Sequence, residues 1–276
     1  MEARRGAPWQ AALVQLQGAV AIVTGASRGI GRATATALHE RGASVGLIAR
    51  SGGELDDLGA ALGSRCAVAV ADVGDRSAVD TAIGSLIGTL GPPDVLVNNA
   101  GVGAYASMLE EDPAVFERLM RVNYLGTVYA TLAVLPHMAS RRRGHIVNVA
   151  SIAGRVGAPF EAAYSASKFA VVGMSEALAA EVGALGVRVS LVNPGPVVTS
   201  FTAARGVPFQ RRFPRPVRAE RVAAAIVTAL ERDRFEQIIP RWLSIGAIVR
   251  SIAPGLYRRG LLRSTARESG ALARRL

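Results

Sequence analysis

The sequence predicts a doubly wound α/β fold, a parallel sheet of about seven strands with helices on both faces. Apolar runs of strand length recur along most of the 276 residues, and the stretches between them are long enough for crossover helices. Half of the residues are hydrophobic and only 5% aromatic, with Ala, Gly, Val and Leu prominent, a composition that suits a sheet covered on both sides.

The first run, AVAIVTG (19–25), enters a glycine-rich turn and then the helical stretch GRATATALHERG. ASVGLIAR (43–50), CAVAVADV (66–73) and DVLVNNAG (94–101) supply the next three strands. EDPAVFERLMRVNYLGTVYATLAVLPHMAS (111–140) reads as a long crossover helix before HIVNVAS (145–151). Another long helix, near 160–183, precedes VRVSLVNPG (187–195), and FEQIIP (235–240) is the seventh strand. Right-handed crossovers bring the C-terminal end of every strand to one common edge, where such sheets bind ligands. The residues that end the strands are therefore the ones to read for chemistry.

Composition narrows the function. Cys66 is the sole cysteine, which rules out an intrachain disulfide and fits a reducing, cytoplasmic compartment. His39, His137 and His145 lack metal-ligand spacing, so no metal is expected. No window offers the ~18 uncharged apolar residues of a membrane span. The net charge of +11 is concentrated after residue 200, where 16 arginines face five acids. Neither interleaved stacking aromatics nor a nucleic-acid motif accompanies them, so nucleic acid is not an expected partner.

The turn after the first strand, TGASRGIG, places Gly25, Gly29 and Gly31 around Ser27, Arg28 and Ile30. Glycines let the backbone approach a pyrophosphate, and the following helix offers unpaired amides and a partial positive charge. NAD-binding versions carry an acid about 20 residues on, at the end of the second strand, for the ribose 2′-hydroxyl. Here that strand ends in Ala49 and Arg50, with no acid between 43 and 53. A guanidinium suits a 2′-phosphate, and Arg28 could join it, so NADP(H) is expected in preference to NAD(H).

The fifth strand ends at Ser151; thirteen residues later stands Tyr164, followed at i+4 by Lys168. On a helix these two side chains share a face. Lys168 is the only lysine among 32 basic residues, an exception that an active-site requirement explains. Together with TGASRGIG, NNAG (98–101), Asn123 in RVNYLG and NPGPVVT (193–199), the pattern resembles the short-chain dehydrogenase/reductase superfamily in its single-domain, Rossmann-like form, over roughly residues 18–240.

The resemblance implies roles for particular residues. Asn123, Ser151, Tyr164 and Lys168 match the family's catalytic tetrad. Gly25, Ser27, Arg28, Gly29, Ile30 and Gly31 would hold the pyrophosphate end, and Asp72 with Val73 the adenine. Asn99, Ala100 and Gly101 would lie beside the adenosine ribose, while Pro194, Gly195, Val197 and Thr199 would shape the nicotinamide site. In carbonyl reduction the hydride adds to the carbonyl carbon and the alkoxide forming at the oxygen needs a proton. A tyrosine beside an ammonium has its phenol pKa lowered toward that task, and lysine, a compact point charge, can reach ribose hydroxyls from the same place.

Outside this core, residues 1–17 read as a loosely ordered lead-in and 241–276 as a basic, amphipathic extension. The segment after Thr199 reads as a lid, with Phe201, Phe209 and Phe213 and arginines at 205, 211, 212, 215 and 218, which suggests an apolar substrate body. A 3-oxoacyl thioester reductase is the alternative within the class, with Arg141–Arg143 as a docking patch for an acidic carrier. A non-catalytic, NADP-sensing protein is the alternative outside it, opposed by the intact tetrad. In the extension, Trp242, Ile245, Val249 and Ile252 fall on one helical stripe that Pro254 ends. The stripe fits an in-plane membrane contact or a face packed on its own domain or at a subunit interface. A homodimer or homotetramer is expected from the resemblance.

Overall fold

Each of the seven runs forms a strand in the computed structural model, which describes residues 13–201 and 214–273. The strands are β1 (Val20–Thr24), β2 (Ser44–Ala49), β3 (Cys66–Val70), β4 (Val95–Asn98), β5 (Gly144–Val149), β6 (Val187–Pro194) and, last in the chain, β9 (Glu236–Ile239). They pair in parallel in the order β3-β2-β1-β4-β5-β6-β9. Chain order reverses between β1 and β4, so the loops leaving these two strands diverge to opposite faces and open a crevice beyond their ends.

Alternation along the strands divides the core in two. Ala21 and Val23 of β1 and Val45 and Leu47 of β2 bury against α1 (Gly29–Glu40), α2 (Gly52–Leu62) and α7 (Ala219–Arg232). Ile22 and Ile48 point the other way, to α3 (Arg76–Leu90) and α5 (Gly126–Ser140), where α6 (Ala162–Val182) also packs. In α7 the buried Val222, Ile226, Val227 and Leu230 recur at helical spacing, which fixes its inward face.

The stretch expected as a long helix over 111–140 is divided. Asp112 caps α4 (Pro113–Leu119), accepting from the Ala114 amide at 2.8 Å, with Pro113 in the first turn where its missing N–H costs nothing. A wide turn with i→i+5 bonding, Met120–Leu125, then separates α4 from α5. Local insertions of this kind often mark functional positions, and this one carries Asn123.

Two further departures concern the ends. Val14 and Leu16 are buried in the core, so the expected lead-in is packed over its last residues. Pro254 does end the first tail helix, α8 (Ser244–Ile252), but it also opens a second, α9 (Pro254–Ala273). β7 (Val197–Val198) and β8 (Val217–Arg218) pair as a short parallel ladder outside the main sheet. Within the expected lid, Phe209, Phe213, Arg205, Arg211 and Arg212 lie outside the described residues.

Candidate active site

The glycine turn is shaped by contacts that leave no room for side chains. Gly25 has φ +65°, and a Cβ there would lie 2.7 Å from the Ala100 Cα. At Gly31 a Cβ would come within 2.1 Å of the Gly25 carbonyl oxygen. Asn99 holds the turn from β4, its Nδ2 donating to the carbonyls of Thr24 (3.0 Å) and Gly25 (3.2 Å). The amides of Asn99 and Ala100 in turn donate to Thr24 Oγ1. Arg28 is the N-cap of α1 and provides no side-chain cap, which leaves the first amides of the helix facing an incoming anion. These features fit a dinucleotide pyrophosphate. Ser27 and Ile30 complete the turn, with Ile30 packing on the core.

Both arginines expected at a 2′-phosphate have carboxylate partners. Arg28 Nε donates to Glu54 at 2.5–2.6 Å, and Arg50 Nη1 lies 3.7 Å from Asp72 Oδ2. The bond to Arg28 holds the Glu54 carboxyl below its ordinary range and raises the Arg28 guanidinium above its own. Glu54 stands one residue beyond the acid-free stretch 43–53, in the first turn of α2. Asp72 also accepts from the Gly74 amide at 2.9 Å, and Val73 is buried against Gly126.

At the ends of β5 and β6 the four tetrad positions converge. Ser151 follows β5; its Oγ accepts from the Ala153 amide (3.1 Å) and donates to the carbonyl of Pro194 (3.4 Å), the last residue of β6. Lys168 is buried on α6 and donates from Nζ to the Val149 carbonyl at 3.0 Å, with Nζ 5.9 Å from the centre of the Tyr164 ring. Burial pushes its ammonium down from 10.5 to about 8. Asn123, fully buried, exchanges bonds with Val102: Oδ1 accepts from the amide (2.8 Å) and Nδ2 donates to the carbonyl (2.9 Å). Nδ2 also donates to Ser167 Oγ at 2.9 Å, and Ser167 passes its proton bond to the Tyr164 carbonyl at 2.8 Å. Gly101 brings the two halves together, since a Cβ there would lie 3.2 Å from Asn123 Oδ1 and 3.6 Å from Lys168 Nζ.

The remaining positions border this cluster. Thr199 packs on Gly29, Val197 lies in β7, and the Gly195 amide donates to the Ile239 carbonyl at 2.7 Å. The Phe201 ring tilts against Tyr164 with centres 5.7 Å apart. Arg141 and Arg143, by contrast, sit at the strand-start edge, both bonded to Asp94 (2.9 and 3.3 Å), while Arg142 donates to the Ala184 carbonyl. Asp94 also accepts from the Val20 amide at the start of β1. The arginine triplet is thus tied into the edge opposite the site.

The family model for short chain dehydrogenases matches residues 19–207, which span the glycine turn and the whole tetrad. The chain belongs to the short-chain dehydrogenase/reductase superfamily. Among curated relatives of this short-chain dehydrogenase is dehydrogenase/reductase SDR family member 7B of Bos taurus, 32% identical over 94% of this chain and 85% of that protein. A 3-ketodihydrosphingosine reductase of Bacteroides thetaiotaomicron is 39% identical over 70% of this chain and 69% of its own. Of solved structures, a short-chain dehydrogenase/reductase from Burkholderia phymatum in complex with NAD superposes with a TM-score of 0.81 at 26% identity, covering 88% of this chain and 96% of that one. A 3-ketoacyl-(acyl-carrier-protein) reductase from Brucella melitensis, complexed with NADH, gives 0.75 at 26% identity, covering 81% and 98%.

The cluster has neighbours that spacing alone does not single out. Ser167 joins Asn123 to the tyrosine turn, and the only local signal is a small polar residue three positions after Tyr164. Val149 and Val102 act through backbone carbonyls, which any residue type supplies.

Proposed function

We propose that this oxidoreductase interconverts a carbonyl and an alcohol on a lipophilic small molecule, with NADP(H) preferred over NAD(H). The observation that carries the proposal is the buried Lys168 beside Tyr164, with Ser151 at the neighbouring strand end and Asn123 beneath. The nicotinamide cofactor, when bound, supplies or accepts the hydride. Tyr164 exchanges the proton at the substrate oxygen, and Ser151 Oγ holds that oxygen. The Lys168 ammonium favours the phenolate, which eases proton exchange at the substrate oxygen. Asn123 keeps the loop after β4 closed on Lys168 through its paired bonds to Val102.

NADP(H) preference is supported by Arg28 and Arg50, which are exposed at the turn and the second strand end. Arg28 and Arg50 would hold a 2′-phosphate there, exchanging single carboxylates for a dianion. Phe201 against Tyr164 supports an apolar substrate body. The relative named for 3-ketodihydrosphingosine and the neighbour named for 3-ketoacyl groups both have 3-keto substrates in their names, which supports a ketone as the oxidised form. The position of Arg141–Arg143 at the far edge favours a free substrate over a carrier docked on that patch.

A panel of steroids, retinoids, long-chain aldehydes and 3-oxoacyl thioesters, run with NADPH and NADH at several pH values, tests the proposal. Turnover of a lipophilic carbonyl with NADPH is expected. Cofactor binding without turnover on any member, or equal use of the two cofactors, counts against it.

A further inference from the structure

The two helices after β9 carry a surface that the hydride transfer does not use. One side of α8 is fastened to the active-site shell. Arg250 lies 5.2 Å over the ring of Phe169, the residue after Lys168, and its Nη1 donates to the Arg155 carbonyl at 3.2 Å. Gly246 faces Val156 in the same segment between Ser151 and Tyr164. On the opposite arc, at i, i+3 and i+7, Ile245, Ile248 and Ile252 are 59%, 54% and 77% exposed. The helix that follows repeats the division: Thr265 is buried and Tyr257 and Leu261 are half-buried, whereas Leu256, Leu262, Arg258, Arg259 and Arg263 are exposed. From 241 to 266 there are five arginines and no acid.

We propose that this face lies in the plane of an anionic phospholipid surface, with the isoleucines and leucines in the acyl boundary and the arginines at lipid phosphates. Charge selects this occupant. A two-fold contact between copies would set the same acid-free arginine surface against itself, and like charges meeting across an interface oppose association. A nucleic acid would leave five exposed aliphatic side chains without an apolar partner. No helix among the described residues is long and apolar enough to cross a membrane, so the contact is peripheral. Because α8 is fastened beside the segment joining Ser151 to Tyr164, docking holds that segment close to the lipid. The docking stands independently of which substrate the site accepts.

The test is co-sedimentation of the full-length protein with vesicles of phosphatidylcholine alone and of phosphatidylcholine with about one-third phosphatidylserine, at low and at high salt. Partition onto the anionic vesicles should exceed that onto the neutral ones by ~10-fold or more and fall with salt. The double variant Ile248→Glu/Ile252→Glu should abolish partition, and Arg258→Gln/Arg259→Gln should weaken it selectively for the anionic vesicles. Both change only exposed side chains and should keep the parent's circular dichroism. Absence of vesicle binding, equal binding to neutral lipid, or an isoleucine variant that alters sedimentation as a dimer while leaving lipid partition intact would each overturn the proposal. In the last outcome, a second copy covers the face.

Discussion

Replacing Lys168 by Met should make the cofactor-free protein more stable while disabling it. The lysine is buried, its ammonium is pushed from 10.5 to about 8, and the cause is desolvation. A folded-state value below the unfolded one means that the native protein carries the charge reluctantly. That difference penalises the charged form by about 3 kcal/mol at neutral pH. Met has a similar reach without the charge, but it forfeits the bond from Nζ to the Val149 carbonyl, a loss of about 1.5 kcal/mol. The net expectation is a gain of about 1.5 kcal/mol, or roughly 3 °C in Tm for a chain of this size. The sign depends on pH. The penalty is fully present below about 8, fades as pH rises and is gone above 10.5, where both states are neutral, so the variant's advantage should disappear there. Activity on a confirmed substrate should fall by ~100-fold or more. Lys168→Arg separates charge from shape: it keeps the cation but sets a wider guanidinium against Gly101 and cannot shed its proton. It should lose both stability and activity. Thermal unfolding across pH and steady-state kinetics check all of this. A Met variant that melts below the parent at neutral pH, or an Arg variant with near-normal turnover, would refute the reasoning.

Changing Arg50 to Asp should weaken NADPH by ~10-fold or more while sparing NADH, read by fluorescence titration, because a like charge then meets the 2′-phosphate. Glu54→Gln should act in the opposite direction by releasing Arg28, with tighter NADPH binding and little change for NADH. Burial pushes the His145 imidazole from 6.5 to about 4, and its Nε2 pairs with Ser190 Oγ at 2.8 Å. The stability this neutral histidine contributes is present above pH 6.5 and lost as pH falls toward 4, up to about 3 kcal/mol, so urea midpoints should drop over that window more in the parent than in His145→Gln. Self-association through α5 and α6 is expected to give a dimer or tetramer, and Leu132→Glu, at a half-exposed position on α5, should shift sedimentation toward monomer.

What was legible in the sequence was local. A continuous apolar run closed by glycine marks β1 and its turn, and the i, i+4 spacing places Tyr164 and Lys168 on one helix face. Features that depend on separate elements meeting were hidden. Glu54 and Arg28 are 26 residues apart, so their pairing depends on how α2 returns over the turn. Arg141–Arg143 looked like a free docking patch as a charge run, and only the sheet's edge reveals that Asp94 takes up two of the three. In the tail, helical spacing alone does not separate Val249, which is half-exposed, from Ile248, which faces outward, because that depends on which side α8 packs.

The wide turn at Met120–Leu125 makes the site sensitive to chain length as well as to side-chain identity. An ordinary helix advances 100° per residue, so the extra residue held in this turn rotates everything after it relative to everything before. α4 and α5 consequently face different neighbours although they run nearly end to end. Removing one residue here would restore an uninterrupted helix and improve its local bonding, yet it would swing Asn123 away from Val102 and Ser167. The segment is therefore expected to accept substitutions more readily than insertions or deletions, because its length sets where Asn123 stands.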